Sequence, residues 1–116
     1  MKKTVSLKEN HLFRRAYNRG KTAADSRLAL YVRGNGRKEN RLGLTVSTKV
    51  GNAVVRNRVR RRLREIYRLH EEQVLGGRDV VVVARVRAAS SDYRQMEKSF
   101  LKLADKLGLL KKDAAQ

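Results

Sequence analysis

Seven arginines fall within Lys49–Arg68, KVGNAVVRNRVRRRLREIYR, against a single acid, Glu65. Set on a helix, Arg56, Arg60, Arg64 and Arg68 recur four residues apart and make one ridge. Arg58, Arg61 and Arg62 carry the charge round the outer surface. Like charges at i, i+4 destabilise an isolated helix, so a helix built this way is expected to regain stability from bound anions. The base used is arginine, whose planar fork matches phosphate bidentately and stacks on nucleobases. A merely solvated face would interleave acids with bases, and here the signs are not interleaved. The chemistry indicated is polyanion binding. Asn57, between Arg56 and Arg58, carries an amide able to donate to and accept from RNA or a hydrated metal; a simple solvated Asn fits the local pattern as well.

A second set is aromatic and small-polar. Phe13 and Tyr17 stand one turn apart, Tyr31 sits in an alternating run, and Thr45 and Ser47 sit in the next one. Aromatic platforms beside small polar residues hold single strands with little sequence preference. The alternative is that Phe13 and Tyr17 belong to the core.

Candidates for bond-making are few. His11 and His70 are the only histidines and there is no Cys. His70 falls on an apolar stripe and reads as a core or edge residue. Glu71-Glu72 reads as a helix end, and no phosphate-cradling glycine loop or nucleophile motif is present. No catalytic residue and no metal site are expected in the protein itself.

The elements that must position these residues follow from periodicity. The chain has 116 residues, 41% of them hydrophobic, which suits one domain spanning 1–116. The formal charge of +18 favours a polyanionic partner. No apolar run approaches the roughly 20 residues of a membrane span, and MKKTVSLKEN lacks the apolar core of a signal peptide. A cytoplasmic protein is expected. Ser6 and Glu9 fit a capping box for a first helix that puts Leu12, Phe13, Ala16 and Tyr17 on one side and stops at Gly20. Arg27–Arg33 and Leu42–Ser47 alternate and read as an antiparallel pair of strands. Asn52 caps the basic helix, whose stripe is Val55, Val59, Leu63, Ile66 and His70. Val80–Val86 reads as a strand buried on both faces. Ser90 or Ser91 caps a last helix with the stripe Tyr93, Met96, Phe100, Leu103 and Leu107, closed by Gly108. The ordered core is expected over about 6–108, with a frayed tail at 111–116. A small mixed sheet with helices on one face, an α+β fold, is the natural solution.

The stretches LFRRAYNRG, LALYV, RLGLTVS and above all KVGNAVVRNRVRRRLRE carry a resemblance. From about Leu7 to Leu107 the chain resembles the protein subunit of bacterial ribonuclease P, with that family's RNR signature at Arg56-Asn57-Arg58. Thr48-Lys49 stands where the family often has two basic residues. The resemblance implies a small four-stranded α/β sandwich with three helices, related to the second domain of a small-subunit ribosomal protein. It implies a left-handed crossover through the basic helix, against the usual rule. It implies a partner, a catalytic RNA that removes the 5′ leader from precursor tRNA, with Mg²⁺ held mainly by that RNA and no obligate protein partner. The RNA-binding residues would be Lys49, Asn52, Arg56, Asn57, Arg58, Arg60, Arg61, Arg64 and Arg68. The leader-binding residues would be Phe13, Tyr17, Tyr31, Thr45 and Ser47. A ribosomal or general structural RNA-binding protein is the alternative. A DNA-compacting protein would leave the aromatic set without a purpose.

Overall fold

The computed structural model describes residues 1–112, so Asp113–Gln116 of the expected frayed tail lie outside the described residues. The elements are β1 (Thr4–Ser6), α1 (Asn10–Arg19), β2 (Lys21–Ala24), β3 (Leu28–Gly34), β4 (Asn40–Val46), α2 (Ala53–His70), β5 (Arg78–Ala84) and α3 (Tyr93–Lys106). Short helical turns at Thr48–Val50, Glu71–Gln73 and Val86–Ser90 join them.

The sheet has five strands in the order β1-β4-β5-β3-β2, one more than the expected four. It is mixed: β1 and β4 run parallel, β4 and β5 run parallel, and β5–β3 and β3–β2 are antiparallel. The α+β class holds. The two alternating strands expected to pair do not touch as a ladder, because β5 lies between them. Its valines explain the insertion. Val80 and Val82 enter one core and Val81 the other, and only a central strand has two faces to bury. The β4–α2–β5 connection is a crossover through the basic helix between two adjacent parallel strands.

The helices do not share one face. Leu28, Leu30, Val32, Leu42, Val80 and Val82 pack with Val59, Leu63, Ile66 and Tyr67 of α2 and Met96, Phe100 and Leu103 of α3. On the other side α1 packs Leu12 and Ala16 with Leu7 and Val81. The alternation of β3 and β4 leaves a thin but apolar second face, and α1 is the element that covers it.

Several helix ends differ from expectation. Ser6 ends β1, and Glu9 precedes α1 without a side-chain cap. Gly20 stops α1 with a negative φ of −78°; what suits a glycine there is the close carbonyl of Ala16, which a Cβ would strike. Asp92, not a serine, caps α3, in a reciprocal capping box with Gln95. Two expectations hold at the other ends. Asn52 accepts from the Val55 N–H at 3.0 Å. Gly108 takes φ +69° while Gly108 and Leu109 donate to Asp105 and Ala104, the bond pattern of a Schellman stop. Lys111 is held, donating to the Gln73 carbonyl at 2.7 Å.

Candidate nucleic-acid interface

The aromatic set assembles on the α1 face. Residue alternation sends Tyr31 of β3 and Thr45 of β4 to the same side, opposite Leu30 and Val46. Tyr17 and Tyr31 meet edge to face, ring centroids 4.9 Å apart, and Phe13 lies 6.3 Å from Tyr17. The Tyr17 hydroxyl is 2.9 Å from Thr45 Oγ1. Gly43 is the floor under Phe13: a Cβ there would come within 2.6 Å of the ring. Tyr17 is 37% exposed, and Phe13, Tyr31 and Thr45 are half-buried. Phe13 also packs against the core of Leu12, Ala16 and Val81, as the core reading of this residue expects, while part of its ring stays exposed. Ser47 is exposed just past the end of β4.

The basic residues sort into free and tied. Arg60, Arg61 and Arg64 line a shallow concavity on α2 with Val54 and Asn57. Arg60 donates to Asn57 Oδ1 at 3.4 Å. Arg58 and Arg62 do not continue freely round the outside. They turn toward the α3 entry, where Arg58 donates to the Ala89 carbonyl and Arg62 to the Ser91 carbonyl, each at 3.1 Å. The Nε atoms of Arg56 and Arg58 are buried with no hydrogen-bond partner among the described residues. Arg68 is engaged by Glu65, its Nε donating at 2.6 Å. Asn52 spends its side-chain oxygen on the cap, and Lys49 is exposed in the turn before it. His70 lies 2.8 Å from Glu97, and His11 is exposed beside Glu9.

The two sets are joined at one edge. β1 pairs with β4 only as far as Leu42, so β4 has a free edge from Gly43 onward. A concavity of about 390 Å³ wraps that edge, lined by Phe13 and Leu7 from one side and by Leu44, Arg60 and Arg64 from the other. Phe13 of the aromatic set and Arg60 and Arg64 of the arginine ridge thus open onto common space.

What anchors β1 was missed in the sequence. Glu71 is buried and accepts from the backbone N–H of Lys2 at 3.1 Å and of Lys3 at 3.2 Å. Burial pushes its carboxyl up, yet hydrogen bonds from Thr4 and these N–H groups hold it below the ordinary carboxylate range. Beside it the Tyr67 hydroxyl meets Thr4 Oγ1 at 2.9 Å and the Asn40 amide at 3.3 Å, and burial pushes the Tyr67 phenol up. Asp79, also buried, takes a bidentate Arg41 at 2.7 and 3.0 Å. Tyr67 was visible in principle, one residue past Ile66 on the stripe. The acids carry no such periodic signal.

An arginine ridge and a half-open aromatic floor meet at a free sheet edge. Among the described residues no three His, Asp or Glu side chains gather as a metal site would. The class these features define is a small, strongly basic α+β protein. The family follows from likeness to known proteins. The ribonuclease P family model matches residues 1–108. The ribonuclease P protein component of Natranaerobius thermophilus is 42% identical over 113 residues, covering 97% of this chain and 98% of that one. That of Alkaliphilus metalliredigens is 40% identical over 110 residues, covering 95% and 99%. The Staphylococcus aureus RNase P protein superposes with a TM-score of 0.85 at 31% identity, covering 91% of this chain and 97% of that chain. The Thermotoga maritima RNase P protein gives 0.76 at 28%, covering 84% and 92%. The chain belongs to the ribonuclease P protein family.

Proposed function

We propose that this chain, as the protein component of a ribonuclease P endoribonuclease, seats its α2 arginines on a catalytic RNA and grips the 5′ leader of precursor tRNA in the aromatic cleft. The observation that carries this reading is the shared concavity at the free edge of β4, where Phe13 faces Arg60 and Arg64. A nucleic acid lying there meets bases' stacking partners and phosphates' counter-charges in one place. Lys49, Asn52, Arg56, Asn57, Arg58, Arg61 and Arg68 extend the cationic side, and Tyr17, Tyr31, Thr45 and Ser47 extend the leader side.

The protein's own work is binding and screening. Its arginines reduce repulsion between two RNAs, and its cleft adds affinity that only a leader-bearing substrate can use. Mg²⁺ activates water for phosphodiester hydrolysis. In this proposal Mg²⁺ is held mainly by the phosphates of the RNA subunit, and the protein's residues act on the RNA and the leader. No described helix is long and apolar enough to cross a membrane; a cytoplasmic role without an obligate protein partner is part of the proposal.

Reconstitution tests the proposal. Added to a bacterial ribonuclease P RNA at low Mg²⁺, the chain restores 5′-leader cleavage. Binding of the RNA without restored cleavage would favour a general structural RNA-binding protein instead.

A further inference from the structure

The aromatic floor is half-open to solvent, but Tyr17 and Tyr31 leave no gap between their rings. Tyr17 and Tyr31 touch edge to face at 4.9 Å between centroids. A base inserted between two rings needs about 7 Å between them, two stacked layers of roughly 3.4 Å each. Tyr17 must therefore swing away before a base can enter between them. What resists the swing is specific: the Tyr17 hydroxyl and Thr45 Oγ1 lie 2.9 Å apart and tie α1 to β4 across 28 residues of sequence. The floor around it is otherwise Gly43, Val81 and Val83, which carry no side-chain hydrogen-bonding group. Tyr17 is 37% exposed, so its ring has solvent to swing into, whereas Phe13 is pinned over Gly43.

We infer that the Tyr17–Thr45 hydroxyl pair is a latch that holds the aromatic cleft closed and sets the affinity for single-stranded RNA. The inference rests on the leader-cleft reading above. A latch lowers apparent affinity by the fraction of molecules that are open. One net hydrogen bond corresponds to about a two- to tenfold change in that fraction, toward the low end here because the pair is exposed.

The test uses the reconstituted holoenzyme, with the ratio of precursor-tRNA to mature-tRNA affinity as readout. Tyr17→Phe keeps the ring and deletes the hydroxyl; Thr45→Val keeps the shape and deletes its partner. Each is expected to raise the ratio about two- to fivefold, and the double variant no further than either alone, since one bond is removed in all three. The melting midpoint of the free protein should fall slightly in the same variants, so stability and leader preference move in opposite directions. A ratio that falls or stays level in Tyr17→Phe and Thr45→Val overturns the latch, because the hydroxyls would then contact the leader or do nothing. Tyr31→Ala separates this from failure of the cleft itself. If Tyr31→Ala leaves the ratio unchanged, the leader does not stack there and the underlying reading fails with it.

Discussion

On the face covered by α2 and α3 the sheet presents Leu28, Leu30, Val32, Val80 and Val82, all buried. On the face covered by α1 it presents Tyr31, Gly43, Thr45, Val81 and Val83, and of these only Gly43 and Val81 are buried. One sheet thus has a sealed side and a half-open side. The sealed side is covered by two helices, with 18 and 14 residues. The open side is covered by one helix of 10. A short helix cannot span a five-stranded sheet, and the part it leaves uncovered is where the aromatic residues stand. Burial is concentrated on one face, and partly exposed aromatic surface on the other.

The largest effect should expose this division directly. Phe100 is 1% exposed in the sealed core, and Phe100→Ala is expected to cost about 3–5 kcal/mol. Phe13→Ala removes the same ring from a half-exposed site and should cost no more than about 2 kcal/mol. Urea unfolding of both variants makes the comparison. Equal losses would mean that the α1 face is as much a core as the other.

The sealed side should also lose stability in acid. Asp25, in the turn between β2 and β3, is reached by α3 through Lys102 at 3.2 Å, and it accepts from the N–H groups of Arg27 and Leu28 at 2.8 and 2.9 Å. Burial alone would raise its pKa; hydrogen bonds from Ser99, these N–H groups and Lys102 outweigh that and lower it from 3.8 to about 2. A lowered pKa stabilises the fold above the unfolded value. That contribution, on the order of 2 kcal/mol, is lost as pH falls from about 4 through about 2. Asp25→Asn should flatten the stability curve in that window, and an unchanged slope would show that the turn does not hold α3.

How much of this was legible depends on the kind of signal. The stripe Val59, Leu63 and Ile66, the alternation of β3 and the cap at Asn52 were all readable, because periodicity and capping are local. The order of the sheet was not. β1 and β2 have 3 and 4 residues, too short for an alternating pattern, and their pairing is set by partners far along the chain. The anchor of β1 was equally hidden: Glu71 looks like a helix end until Lys2 and Lys3 are seen donating to it. In the candidate site, residue types were legible and their engagement was not. Nothing local says that Arg58 and Arg62 bend to carbonyls of the α3 entry while Arg61 stays free.

The open face carries the next prediction. Tyr31→Ala should weaken precursor-tRNA binding by the holoenzyme by about 1–3 kcal/mol, the usual worth of one stacked base. Mature tRNA, with no leader to place there, should bind nearly as before. Affinities are measured at one salt and Mg²⁺ concentration, with circular dichroism confirming the fold. If both affinities fall together, the two faces differ in packing alone, and the half-open side has no recognition role.

The smallest effect divides the arginines of α2 by the same logic of sealed and open. Arg61 is exposed on the concave outer surface with Arg60 and Arg64. Arg62, its neighbour in sequence, is half-buried and donates to the Ser91 carbonyl at 3.1 Å. A phosphate contact contributes through counterion release, so its loss changes how affinity depends on salt. Arg61→Ala should reduce the slope of log affinity for the RNA subunit against log salt by about 0.7–0.9, with little change in the melting midpoint. Arg62→Ala should do the reverse: a lower midpoint, because the α3 entry loses a tie, and a slope changed less than by Arg61→Ala. Titrations at several salt concentrations, paired with thermal melts, read both quantities. Identical slopes in the two variants would mean that RNA reaches Arg62 despite its tie, and that the cationic surface extends round α2 onto the sealed side.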